Sequence, residues 1–263
     1  SHIVDRLISE GNQVAVVDDL STGNEKNLNP EARFYRMDIC SPELASVFEA
    51  EKPDYVSHHA AQISVARSLR EPILDVQINI MGSVNVIELS AKYRIKKLIY
   101  ASTGGAIYGE PRYLPVDESH PVNPLAPYGV NKHTVEHYLY LYGVNNGLNY
   151  AILRYPNVYG PRQDPHGECG VIAIFTQRMM EGKGVIIFGD GTATRDYVYI
   201  DDIVKANMLA LTRGDKVTCN LGSNRETSVN RIFELLKAEF GYNLKPAYEA
   251  KRAGEVYRIF LTN

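Results

Sequence analysis

Short apolar runs alternate along the chain with stretches in which apolar residues recur at helical spacing. Val14 to Val17, Tyr55 to His58, Lys97 to Ala101 and Tyr150 to Arg154 predict buried strands, and Pro72 to Tyr93 and Tyr128 to Tyr142 predict helices. Strand and helix in alternation imply a parallel sheet covered on both faces, a doubly wound α/β architecture. After about Tyr155 the rhythm changes, because glycine- and proline-rich stretches at Gly160 to Gly170 and Gly189 to Thr194 interrupt shorter elements. The pattern predicts a first domain over residues 1–155 and a smaller C-terminal lobe over 156–263 built around a ligand, with 197–212 packing back on the first domain.

Ser1 to Gly11 already read as a helix running into a strand. A doubly wound nucleotide-binding fold normally opens with a strand and a glycine-rich turn, whose small residues let the backbone approach a pyrophosphate at a helix N-terminus. The expectation is a fragment trimmed at both ends, starting inside the first helix and stopping in the apolar run Ile259 to Asn263.

Composition narrows the ligand more than the fold. With 263 residues, 44% of them hydrophobic, the chain can bury one large core or two small ones. It has no uninterrupted apolar run of about 18 residues and no basic-then-apolar leader, which makes a cytoplasmic location the expectation. Cys40, Cys169 and Cys219 stand far apart without a CxxC spacing, which argues against a disulfide framework or a thiolate zinc site. The net charge is −3 and no run of Lys or Arg forms a nucleic-acid track, so an anionic ligand must be met by a few placed cations. A small phosphate-bearing molecule suits that better than a polymer.

Tyr128 and Lys132 form a Tyr-x-x-x-Lys pair on a helix that Pro127 would start well. Residues four apart share a face, so the ammonium is expected beside the phenol. A free tyrosine ionises near pH ~10, and bringing that to about 7 takes roughly 4 kcal/mol, which a partly buried cation and the positive ring of an oxidised nicotinamide could supply. Spacing alone is weak, and a surface pair on an amphipathic helix would look the same. The context is stronger: Ser102 to Gly109 follow an apolar strand about twenty residues earlier, and strand ends are where such sheets bind ligands. A hydroxyl there can hand a proton between substrate and Tyr128. Asp18, closing the first strand, can accept hydrogen bonds from an adenosine ribose and repel a 2′-phosphate, which selects NAD over NADP; alone it would read equally well as a loop carboxylate.

At this point the chain resembles the extended short-chain dehydrogenases and, within them, the UDP-glucose 4-epimerase group. The resemblance rests on Val17 to Gly23, Asp38 and Ile39, His59 to Gln62, Ser102 to Gly109, Pro127 to Lys132, Leu153 to Pro161 and Arg195 to Asp202, in the group's order and spacing through nearly the whole chain. It implies a Rossmann-like NAD domain with a nucleotide-sugar lobe. Asp18, Asp19 and Leu20 would hold the adenosine ribose and Asp38 and Ile39 the adenine. Ala60, Ala61 and Gln62 would line the stretch from pyrophosphate to nicotinamide, with Pro156 also on the cofactor side, and Asn79 would help position the active-site lysine. Asn157, Val171, Phe188, Arg195, Arg252 and Glu255 match positions that hold uridine diphosphate, and a guanidinium fork offers paired donors to phosphate oxygens. The resemblance further implies a homodimer through the helices around Ser83 to Tyr93 and Val130 to Tyr142. The sequence departs from the group at Gly104, which stands where the catalytic Ser or Thr usually lies, leaving Thr103 as the substitute.

The implied reaction is 4-epimerisation of a UDP-sugar such as UDP-glucose or UDP-galactose through a 4-keto intermediate. Acceptance of an N-acetylated or uronate sugar, or a decarboxylase of the same fold, stays open, since a few pocket contacts decide it. Dehydration is disfavoured because Gly104 and Gly105 replace the acidic pair that dehydratases use. A non-catalytic NAD-sensing module is the rival of another class, and the joint presence of Tyr128, Lys132, Arg195 and Arg252 counts against it. His133, Glu136 and His137 match a zinc-protease pattern, but no third ligand is placed in sequence and the expectation is no metal.

Overall fold

The computed structural model describes residues 1–166, 170–252 and 256–262. Helix α1 (His2–Ser9) leads to strand β1 (Ala15–Asp18), which pairs in parallel with β2 (Arg33–Arg36), Asp18 lying opposite Arg36. After α2 (Leu44–Glu51) the chain enters β3 (Tyr55–His58). It crosses through α3 (Val65–Arg70), α4 (Pro72–Val76), a π-helical turn (Gln77–Gly82) and α5 (Ser83–Lys92), and returns as β4 (Lys97–Thr103). Helix α6 (Pro127–Asn145) then brings it to β5 (Tyr150–Tyr155). Each crossover carries a helix back over the sheet, so β3, β4 and β5 run parallel, Tyr55 opposite Lys97 and Leu98 opposite Tyr150.

Every residue of β4 is buried, which is why its centre, Leu98 to Ala101, reads as an unbroken apolar run. Its side chains alternate between two cores as the pleat requires. Leu98 and Tyr100 join Ile87, Val135, Leu139 and Ile152 beneath α5 and α6, whereas Ile99 packs with Ala151, Leu153 and Ala210 on the opposite face. Val17 and Met37 pack against the first of these cores as well, so the β1–β2 pair shares it with β3 although its ladder is separate.

Beyond β5 follow β6 (Asn157–Tyr159), α7 (Val171–Met180), β7 (Ile186–Phe188), β8 (Thr194–Arg195), β9 (Tyr197–Tyr199) and α8 (Ile200–Thr212). The chain continues through β10 (Val217–Asn220), β11 (Thr227–Ser228), α9 (Val229–Phe240) and β12 (Ala247–Glu249). Helix α8 packs on β4 and α1. Strand β10 pairs in parallel with β5, Val217 opposite Ala151, giving the order β10-β5-β4-β3. The sequence pattern ends the return to the first domain at 212, but the structure extends it to Asn220 through Val217–Asn220, whose Thr218 and Asn220 break any apolar run. The smaller lobe has its own core of Phe175, Met179, Ile187, Phe233 and Tyr242. Among the described residues no helix is long and apolar enough to cross a membrane.

Candidate active site

Thr103 is the last residue of β4, and Tyr128 and Lys132 occupy the first turns of α6, which opens with Pro127 at a position where a missing N–H costs nothing. The fold brings all three together, with the Thr103 hydroxyl beside the Tyr128 phenol, whose ionisation it lowers. Lys132 is only 4% exposed, and its Nζ sits 4.4 Å from the centroid of the Tyr100 ring. The expected partly exposed cation is thus a buried one, and this changes the electrostatics. Burial pushes the Tyr128 phenol up to about 12, against the pull of the Thr103 hydrogen bond. Burial also brings Lys132 down to about 7, although the carboxylates of Glu136 and Asp75 oppose it. The lysine alone therefore does not turn Tyr128 into a phenolate, and further positive charge beside the phenol is required.

Gly104 has a packing reason. A Cβ at this position would stand 2.3 Å from Cδ1 of Leu261, a side chain 1% exposed. A Ser or Thr there would collide with the segment that closes the core of Ile107, Tyr108, Val116, Ile259 and Leu261. The hydroxyl sits one residue earlier, fixed by the β4–β5 ladder opposite Tyr155.

Glu136, two turns beyond Tyr128, points inward. Its carboxylate accepts from Arg154 Nε at 3.0 Å and Nη2 at 2.6 Å and from the Ser102 hydroxyl at 2.5 Å. Burial works to raise this carboxyl, but hydrogen bonds from His133, Arg154 and Ser102 hold it at about 2. Arg154 also donates to the Tyr108 hydroxyl at 2.7 Å, which in turn donates to Asn220. The histidines of the zinc-like pattern are committed locally: His133 Nδ1 lies 3.2 Å from Glu136 and its Nε2 lies 3.2 Å from that of His137. His58 is buried against the Ser83 hydroxyl, and burial together with Lys132 pulls it down to about 3, so it stays neutral.

A second buried carboxylate, Asp75, lies on α4. One of its oxygens accepts from Gln62 Nε2 at 2.6 Å and Asn79 Nδ2 at 3.0 Å, and the other from Asn131 Nδ2 at 2.6 Å. Asn79 also clamps the backbone N–H and C=O of Gln62, both at 2.9 Å. The π turn places it there, as such insertions often do at functional sites. The Gln62 side-chain amide bonds Ser64 and Asp75, and the Asn79 amide bonds the Gln62 backbone and Asp75.

The remaining cofactor positions gather at the strand ends. Asp18 Oδ1 accepts from the Leu20 N–H at 2.7 Å, Asp19 caps Ser21, and Asp38 accepts from the Cys40 N–H. A Cβ on Gly23 would lie 3.0 Å from an Asp18 oxygen, so glycine keeps that carboxylate clear. The N-terminus of α1 lies beside Asp18 and Arg162. Ala60 and Ala61 follow β3. The Ile39 side chain is buried in the main core. On the other side of the cleft, Pro156, Asn157 and Arg195 share a cavity with Gly104 and Gly105, and the Arg252 guanidinium stacks 3.9 Å from the Phe188 ring centroid. Val171 opens α7 against the lobe's core. Glu255 lies outside the described residues.

A strand-end hydroxyl, a helix Tyr-x-x-x-Lys and a separate lobe carrying Arg195 and Arg252 together match a known family. The model of the NAD-dependent epimerase/dehydratase family matches residues 1–222. The chain belongs to this family. A putative UDP-glucose 4-epimerase of Methanocaldococcus jannaschii is 49% identical over 261 residues, covering 99% of this chain and 85% of the relative. The UDP-glucose 4-epimerase of Thermotoga maritima, solved with UDP-glucose, superposes with a TM-score of 0.98 at 50% identity, covering 99% and 85% of the two chains. That of Thermus thermophilus, solved with NAD, gives 0.94 at 39% identity, covering 99% and 86%. Its family members share the doubly wound sheet, and the sequence reading of this one missed Asp75, Asn131 and Arg154. One signal was available, the charged Arg154 inside the buried run of β5.

Proposed function

We propose that this chain catalyses NAD-dependent 4-epimerisation of a UDP-sugar, interconverting UDP-glucose and UDP-galactose through a 4-keto intermediate. The observation that carries the reading is Thr103, at the C-terminal end of the central strand, beside Tyr128 with buried Lys132 one turn further along the helix. NAD supplies the hydride acceptor and donor and the positive charge that the buried phenol lacks. The acidic ends of β1 and β2 and the cleared carboxylate of Asp18 fit its adenosine half. Tyr128 takes the proton of the sugar 4-hydroxyl and returns it, Thr103 relays it, and Lys132 stabilises the phenolate. Arg195 and Arg252, with Asn157 and Phe188, hold the diphosphate and uracil, so that the sugar can present either face without releasing the nucleotide.

Its test is Tyr128→Phe, assayed with UDP-glucose, UDP-N-acetylglucosamine and UDP-glucuronate side by side. General acid–base catalysis contributes about 10²–10⁴-fold, and a loss of that size on UDP-glucose is expected. Retained activity would discard Tyr128 as the base.

The same reading includes a homodimer. Val130, Leu141 and Val144 are 47%, 47% and 63% exposed at spacings that share one face of α6, and Ile73 and Met81, 71% and 61% exposed, lie on the neighbouring helical segment. The exposed apolar side chains thus favour α4 and the π turn over α5 as the partner of α6. Leu141→Glu should convert the dimer to monomer in sedimentation.

A further inference from the structure

Of the two carboxylates that act on Lys132, Glu136 is neutralised by a guanidinium, whereas Asp75 is held by amides alone. Amide donors satisfy the oxygens of a carboxylate without cancelling its charge. Asp75 is 1% exposed, so solvent does not screen that charge either. Its three anchors come from the loop after β3, the π turn and α6, and the last of them, Asn131, directly precedes Lys132. A charge built at this depth, braced from three elements and left unpaired, is costly unless something uses it.

Resting on the proposed function, we propose that Asp75 is a positioning residue for the proton-transfer pair: its braced negative charge keeps Lys132 an ammonium and sets the pH above which Tyr128 acts as base. Lys132 also faces Glu136, the neutral His58 and His59 and the Tyr100 ring, while Tyr128 faces Thr103 and Tyr100. Glu136 raises the lysine more than Asp75 does, but through a charge already paired with Arg154. Asp75 raises the ionisation of both Tyr128 and Lys132. Removing its charge therefore lets both lose their protons at lower pH.

The experiment is the pH dependence of kcat/KM for UDP-glucose in the NAD-loaded enzyme, comparing wild type, Asp75→Asn and Asn131→Leu. Asp75→Asn should move the acid limb down by about one pH unit, a tenfold change in proton affinity. Asn131→Leu removes one brace but keeps the charge, and should leave the limb in place even if the rate falls. An unmoved limb in Asp75→Asn, or equal shifts in both variants, overturns the proposal in favour of simple packing. Should Asp75→Asn not fold, Asp75→Ser, short enough to admit a water among the amides, carries the same test, and failure of both to fold also assigns Asp75 to packing. A wild type that interconverts no UDP-sugar, or a Tyr128→Phe variant that still does, sinks the underlying reading instead.

Discussion

Below Lys132, Asp75 and Glu136 are buried carboxylates with hydrogen bonds to both oxygens, each tying together segments far apart in sequence. Across the cleft, Arg252 lies against an aromatic face and Arg195 beside backbone carbonyls, on a lobe assembled from two- and three-residue strands. The floor ties distant segments together through side-chain hydrogen bonds, and the far wall, in the proposed function, is where the diphosphate binds. A reaction that must accept a sugar in two orientations needs this division, with proton-transfer atoms fixed and the binding energy concentrated on the part of the substrate that does not react.

Breaking the floor should therefore cost stability first. Glu136→Ala leaves Arg154 buried without its partner and should lower unfolding free energy by about 3–5 kcal/mol in urea titrations. The same carboxyl fixes a sign for acid denaturation. Its ionisation is depressed in the folded state from 4.5 to about 2, so its contribution is complete above pH ~4.5 and is lost as pH falls through about 2. Glu136→Gln should flatten the stability curve across that window; an unchanged slope would mean that other carboxylates dominate it.

Next in size, Thr103→Val should lower kcat by about ten- to a hundredfold while the nucleotide still binds, and Thr103→Ser should restore most of it. A Val variant at full rate would remove the hydroxyl from the mechanism and leave Tyr128 acting directly on the sugar. Smallest is the far wall: Arg252→Ala should raise KM about tenfold, roughly 1.4 kcal/mol, with kcat nearly kept. A fall in kcat instead would mean that the wall shapes the reacting geometry too, and the contrast between floor and wall would lapse.

Much of the floor's outline was legible in the sequence. The apolar runs at Tyr55, Lys97 and Tyr150 became β3, β4 and β5, and Pro127 did open the helix that carries Tyr128 and Lys132. Hydrophobic period reports which face is buried, and it locates residues that lie on one element. It does not report which distant polar groups meet. Asp75 and Asn131 are 56 positions apart, and neither has a motif of its own. The fourth strand, β10, was lost because Val217–Asn220 carries Thr218 and Asn220 and shows no apolar run, although it is no shorter than β3. Ile39 was matched to a cofactor position, but a motif does not say which way its side chain turns. Gly104 read as a departure until the packing of Leu261 explained it.

The π turn over Gln77–Gly82 interrupts what would otherwise be one regular rod from Pro72 to Lys92. A rod of uniform pitch would hold the segment before the turn and α5 in one fixed phase and dedicate both to one neighbour. The widened turn acts as a phase shifter. It lets the segment before it serve the cleft floor while α5, after it, resumes the pitch that seats Val86, Ile87 and Leu89 in the core. Deleting one residue inside the turn would restore the uniform rod and rotate one half against the other by about 100°. The helix would be more regular, and the amide cage around Asp75 would no longer close.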